Sequence, residues 1–243
     1  MTMVLTIVVV IALSLMLVAE RWQPAFDRLG GTDRIWSNVA LGVIAMGLTF
    51  AVVTPASLLA TTLGPDWREG WPPLLRLASD VLLLDLYIYL WHRANHEIQF
   101  LWRFHRVHHF DSFLDVTSAL RFHPGEVLLS VFVRGLFIVL LDISFVAIVL
   151  FDALVILSAG FHHSNLKLPR AFDGLLRRLI VTPDHHRVHH TDNRPDTDSN
   201  YGTIFSFWDR LFGSYREQPQ PGRYGVEGED DRSLTQLLVN PLR

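Results

Sequence analysis

Thr2-Met-Val-Leu-Thr-Ile-Val-Val-Val-Ile-Ala-Leu-Ser-Leu-Met-Leu-Val-Ala19 carries no charge, and Glu20-Arg21-Trp22 closes it. Wound as a helix, the run is apolar on every side and leaves no polar stripe for water. It comes close to the ~20 residues that a bilayer crossing needs. No basic residue precedes it and no small-residue cleavage site follows, as a removable signal segment would require. The arginine and tryptophan at its end suit an interfacial anchor instead. Working outward, residues 37–60 form a second uncharged stretch, and residues 73–90 a third, interrupted by Arg76, Asp80 and Asp85. Residues 126–160 are apolar apart from a few groups that include Arg134, Asp142 and Asp152. That run is too long for one crossing and predicts a hairpin of two. The expected fold is all-α: an integral-membrane helical bundle of three spans plus a helical hairpin.

The composition fits this reading. Half of the 243 residues are hydrophobic, the formal net charge is -3, and there is no cysteine. No basic surface points to nucleic acid, and the missing thiols exclude disulfides and thiolate metal sites. Arg21, Arg28 and Arg34 follow the first stretch, and Arg93, Arg103, Arg106 and Arg121 follow the third. By the positive-inside rule both segments face the cytoplasm. Counting crossings then brings the end of the hairpin to the same side. The polar remainder forms a cytoplasmic cap of helices. Residues 98–110 are expected to be helical, as are 171–181, which carry an amphipathic pattern, and a helix beginning at Pro183. Residues 1–217 read as one domain, and 218–243, with Pro, Gly and acidic residues, as a surface tail.

All twelve histidines fall in that cap. They are His92-Arg-Ala-Asn-His96, His105-Arg-Val-His108-His109, His123, His162-His163 and His185-His186-Arg-Val-His189-His190. Side chains at i, i+3 and i+4 share one helix face, so each His-x-x-His-His triplet presents three imidazoles together. A lone histidine near a membrane interface is ordinarily a polar tip, and a single His-x-x-x-His arises by chance. Two triplets plus a pair are another matter: burying that many rings is costly unless they are neutral and bonded. Coordination through one ring nitrogen solves this, provided that the other nitrogen is held by a carboxylate, carbonyl or water. Asp111, Asp115, Glu126, Asp184, Asp192 and Asn165 are the candidates for that holding role. One structural zinc would use only four ligands, so a two-metal centre is expected. Nitrogen donors suit iron, zinc, copper and nickel alike.

These motifs resemble the fatty acid hydroxylase / sterol desaturase superfamily of integral-membrane oxygenases. The resemblance rests on His92-x-x-x-His96, His105-x-x-His108-His109, Arg121-Phe-His123-Pro, His163-Ser-Asn165-Leu and Thr182-Pro-x-x-His186-Arg-Val-His189-His190. Asn200-Tyr-Gly and Trp208-Asp-Arg-Leu-Phe-Gly-Ser-Tyr215 extend it, so that it covers residues 80–215. It implies a di-iron centre, two Fe per chain, that uses O2 and two electrons to hydroxylate or desaturate a lipid. It implies as ligands His92, His96, His105, His108, His109, His163, His186, His189 and His190. His123, His162 and Asn165 stand as further ligands or as supports for them, and His185 lies outside the set. The short first motif and the chain's ending lean toward the sterol-modifying and alkylglycerol monooxygenase branches, hence toward a sterol-like or ether lipid. No catalytic side chain is expected beyond the metal centre. No haem, flavin or nicotinamide motif is present, so electrons come from a separate cytochrome b5, ferredoxin or pterin donor. Asp209 and Arg210 are expected to form a local ion pair that fastens the last segment. A histidine-rich metal transporter is the competing class. It would place its ligands near the bilayer midplane, on broken helices, whereas here they follow the apolar runs.

Overall fold

The computed structural model describes residues 2–28, 31–217 and 222–242, and no strand occurs among them. Helix α1 (Thr2–Trp22) is followed by α2 (Thr32–Leu48), which runs through a π-turn (Thr49–Val53) directly into α3 (Thr54–Ala60). Pro55 explains the turn: it lacks an N–H and its ring crowds the carbonyl four residues back, and a widened turn relieves both. The Thr49 hydroxyl donates to the Ala45 carbonyl (2.9 Å) just before the turn. Next come α4 (Pro73–Glu97) and α5 (Gln99–His109), joined by a sharp bend at Ile98. A 3-10 turn (Val116–Leu120) leads to the hairpin of α6 (Pro124–Leu141) and α7 (Phe145–His163). The remainder is short: α8 (Arg170–Leu176), α9 (Pro183–His189), α10 (Arg194–Thr197), α11 (Phe207–Leu211), α12 (Leu234–Val239) and a 3-10 turn (Asn240–Leu242).

Proline opens α4, α6 and α9, where its missing N–H costs nothing. Ser144 caps α7 through the Ala147 amide, and Thr182 caps α9 through the His185 amide. The hairpin reverses at Asp142, whose φ of 51° lies in the left-handed region. Arg68 and Arg76 hold that carboxylate, through the Arg68 amide (3.1 Å) and the Arg76 guanidinium (2.9 Å). Helix α1 approaches α7 closely at Gly160: a Cβ there would lie 2.4 Å from the Leu13 Cδ2.

Among the described residues, four helices are long and apolar enough to cross a membrane: residues 3–22, 32–60 (α2 through α3), α6 and α7. Their apolar side chains stay largely on the outside, Phe132 of α6 being 79% exposed. The chain is thus an integral membrane protein with a helical bundle, as expected. The third expected span differs. Helix α4 is long, but it is not among the four apolar helices. Its aspartates are buried and satisfied within the protein. Asp80 pairs with Arg68 (2.6 Å) and accepts from Ser144. Asp85 accepts from the amides of Ile204 and Phe205 and from the Trp208 indole. The expected helix 171–181 stops at Leu176, because Ile180 and Val181 turn to pair with residues 204 and 205.

The expected surface tail packs on the body at a few points. Among its described residues, Leu237 is fully buried against Leu41, Val107 and Phe110, and Asn240 is buried beside α5. Leu237, with Leu234 and Leu238 packed around it, and Asn240 seat the segment on the body.

Candidate metal centre

The bend at Ile98 folds α5 back on α4, and α9 packs on α7 and brings its rings against those of His92 and His109. The nine expected ligands collect in two groups: His92, His96, His105, His109 and His189 in one, His108, His163, His186 and His190 in the other. Within each group the ligand atoms all lie within 4.8 Å of one another. The two triplets contribute reciprocally. From α5, the i and i+4 residues His105 and His109 enter the first group, and the intervening His108 enters the second. From α9, His186 and His190 enter the second group, and His189 enters the first. The close i, i+4 spacing keeps a pair in one group, while the i+3 residue, rotated to the side of the face, reaches the other.

Oxygen acceptors fix the rings. In the first group, Nδ1–H of His92 donates to the Tyr201 carbonyl (2.8 Å), that of His96 to Asp198 (3.3 Å), that of His105 to Glu126 (2.9 Å) and that of His189 to the Ser199 carbonyl (2.7 Å). An acceptor-only oxygen selects the tautomer with the proton on Nδ1, which leaves a bare lone pair on Nε2. The Nε2 atoms of all four are buried without a hydrogen-bond partner, and so are both ring nitrogens of His109.

The second group shows the same logic more sharply. His108 donates from Nδ1 to the Arg121 carbonyl (3.2 Å), and His163 donates from Nδ1 to the Ala159 carbonyl (2.8 Å). Their Nε2 atoms then face each other at 3.0 Å. The Nε2 atom of His186 lies 3.1 Å from that of His163 and 3.1 Å from that of His190. Two lone pairs at such a distance repel unless a cation sits beside both. Metal–nitrogen bonds of about 2.1 Å at right angles would separate neighbouring donors by about 3 Å, so the donor set fits a metal ion.

Burial, and secondarily the crowding of other imidazoles, holds His108, His109, His186 and His190 well below the ordinary imidazole value. His189 is lowered too, again chiefly by burial. These rings are neutral near pH 7 and available as donors. Trp102 packs against His96 and His109, at 4.9 Å and 5.3 Å between ring centroids, and the Arg194 guanidinium covers the indole from outside at 4.3 Å.

Other expected positions fall outside the two groups. His123 caps α6 through Nδ1 and donates from Nε2 to the Leu238 carbonyl (3.0 Å). His162 packs beside His186, the rings tilted by 50° with centroids 4.1 Å apart. Asn165 ties the loop after α1, bonding both the amide and the carbonyl of Phe26. His185 meets Asp209 at 3.2 Å.

Of the proposed supports, only Glu126 holds a ring of the two groups. Asp111 and Asp115 bind Arg34, and Asp184 binds Arg187. Asp198 and the carbonyls of Ser199 and Tyr201 were not anticipated. Nothing in Asn193-Arg-Pro-Asp-Thr-Asp198 distinguishes the useful aspartate from its neighbours. The expected Asp209–Arg210 pair does not form. Asp209 accepts from the amides of Tyr201 and Gly202 and from Ser214, because it is buried at the turn it organises, while Arg210 faces outward and donates to the Arg177 carbonyl.

Residues 77–214 match the sequence profile described as fatty acid hydroxylase. The chain is 27% identical to the ornithine lipid hydroxylase OlsE of Rhizobium tropici, over 81% of this chain and 60% of the relative. It is 30% identical to the alkylglycerol monooxygenase of Danio rerio, over 66% of this chain and 34% of the relative. It is 30% identical to the cholesterol 25-hydroxylase of Mus musculus, over 86% of this chain and 72% of the relative. The chain therefore spans about a third to three fifths of the first two of these relatives. No solved structure matches it.

Proposed function

This chain belongs to the fatty acid hydroxylase family, and on that premise we propose that its two histidine groups hold two iron ions and that the protein hydroxylates a lipid in its membrane. One observation carries the metal assignment: the Nδ1 atoms of His108 and His163 are both committed to carbonyls, so the Nε2 atoms 3.0 Å apart are two opposed lone pairs. Iron bound there supplies the reductive activation of O2 and the removal of hydrogen from an unactivated C–H. The chain's own part is geometric. Glu126, Asp198 and the backbone carbonyls of Tyr201 and Ser199 lock the tautomer and direction of His105, His96, His92 and His189. Burial keeps the rings neutral and excludes bulk water from the centre.

An apolar groove of about 510 Å³ supports a lipid substrate. Tyr87, Leu90 and Trp91 of α4 line one side and Leu129, Val133 and Phe137 of α6 the other. Glu126, which holds His105, continues the α6 stripe by one turn. The ornithine lipid, alkylglycerol and cholesterol enzymes among the relatives fit the same substrate class. The histidine groups face the cytoplasm, as the arginine distribution indicates, and a separate donor protein or pterin delivers the electrons.

The test is iron content and Mössbauer spectroscopy on detergent-purified protein expressed with the Mössbauer-active isotope, joined to lipid profiling of the expressing cells. Two irons per chain in a coupled ferric pair, together with an oxygenated lipid that disappears in His108→Ala and His189→Ala, is the expected result. Both variants should remain in the membrane. Zinc alone from iron-replete medium, or full activity in either variant, defeats the reading.

A further inference from the structure

Residues 222–242 lie beyond the segment that matches the family, yet they touch both helices that carry His-x-x-His-His. At the C-terminal end of α9, the Gly225 amide donates to the carbonyl of the capping His190 (3.2 Å), and just beyond it the Asp192 amide donates to the carbonyl of Arg223 (2.8 Å). At α5, Asn240 donates from its amide nitrogen to the Arg103 carbonyl and accepts from Arg106 (3.1 Å), while Leu237 is buried against Val107 and Phe110.

Between these two anchors lies Asp231. It receives the guanidinium of Arg121, which is fully buried and also donates from Nε to the Val107 carbonyl (3.0 Å) and from Nη1 to Asn38 (3.1 Å). The carbonyl of this same Arg121 accepts from His108 Nδ1 (3.2 Å). The Leu238 carbonyl holds His123, two residues further on (3.0 Å).

We propose that residues 222–242 form a strap that shapes the second histidine group, and that Asp231 is a positioning residue acting on His108 through Arg121. The proposal rests on the reading that both groups bind metal. The strap reaches the second group within one residue of two of its ligands: His190 directly through its backbone, and His108 through the carbonyl it bonds. The acceptors that orient the first group come from elsewhere, namely Glu126 on α6, Asp198, Ser199 and Tyr201. Disturbing Asp231 therefore acts on one metal and spares the other.

The experiment compares wild type, Asp231→Ala, Asp231→Glu and a chain ending after residue 221. All four are purified in detergent after iron-replete expression, with iron counted per folded chain and examined by electron paramagnetic resonance and Mössbauer spectroscopy. Size exclusion and near-ultraviolet circular dichroism select folded material. Asp231→Ala is expected to fall from two irons to one, with the coupled pair replaced by a mononuclear high-spin signal. Asp231→Glu, which restores the carboxylate, is expected to recover most of the second iron. If the truncated chain does not fold, the two point variants decide. Two irons with an unchanged coupled signature in Asp231→Ala overturn the strap's role, and equal loss of both irons overturns its selectivity. A wild type without two irons overturns the metal reading itself, which separates that failure from the strap's.

Discussion

Glu126 offers the sharpest quantitative prediction. Its Oε1 accepts from His105 Nδ1 at 2.9 Å, and its side chain is nearly inaccessible to water. Replacing it with leucine keeps the bulk of the side chain and removes the acceptor. His105 then loses its fixed tautomer and direction, and the first group loses one of its four preset donors. Removing such a supporting acceptor typically lowers metal affinity 10- to 100-fold, which is about 1.4–2.7 kcal/mol. Glutamine keeps an oxygen at the same place without the charge. A charge-assisted bond is roughly twice as strong as a neutral one, so Glu126→Gln should lose about half that free energy, some 3- to 10-fold in affinity. The assay is chelator competition against the purified protein, with metal loss resolved into two steps. The order wild type, Gln, Leu in the affinity of a single step is the expected pattern. Wild-type affinity in the leucine variant, or loss confined to the metal held by His108 and His163, would refute the reasoning.

Two further outcomes follow from the same structure. Arg34 on α2 is buried and binds Asp111 (2.9 Å) and Asp115. Arg34→Met leaves the buried Asp115 without its cation and Asp111 with only the more distant Arg121 (3.9 Å), and should cost ~3–5 kcal/mol, read as a lowered thermal midpoint in detergent; a loss under about 1 kcal/mol contradicts this. The metal-free protein should lose stability on acidification. His108, His109, His186, His189 and His190 stay neutral when folded and take up protons near pH 6.5 when unfolded. The unfolded chain thus binds more protons below that pH, and each ring removes up to ~1.4 kcal/mol per pH unit between 6.5 and its own lowered value. A midpoint that stays level from pH 7 to 5.5 would count against neutral burial.

How far the sequence could be read depended on the range of the interaction. Period and hydropathy are local, so residues 2–19, 37–60 and the 126–160 hairpin were legible as membrane helices. Histidine spacing is local too, and the i, i+4 pairs do stay together. The splitting of each triplet between two groups was not legible, because it depends on how α5 and α9 face one another. Helix α4 shows the same limit. Asp80 and Asp85 look like interruptions of a span until Arg68 and Trp208, distant in sequence, are seen to hold them. The carbonyls that hold His92, His108, His163 and His189 carry no side-chain signature at all, so no residue type could announce them. Leu237 and Asn240 were hidden in a stretch whose average composition is that of a loop.

The helix formed by α2 and α3 has one more implication. Its uncharged part, residues 37–60, measures about 36 Å at 1.5 Å per residue. A hydrocarbon core is about 30 Å thick, so full immersion requires a lean of about 35° from the membrane normal. Helix α6, with 18 residues, is only about 27 Å long and already falls short when upright. Helix α6 packs against α2 and α3, so lipids on that side meet a rod long enough to lean beside one that falls short. Membranes of different chain length are therefore expected to hold this protein at different angles.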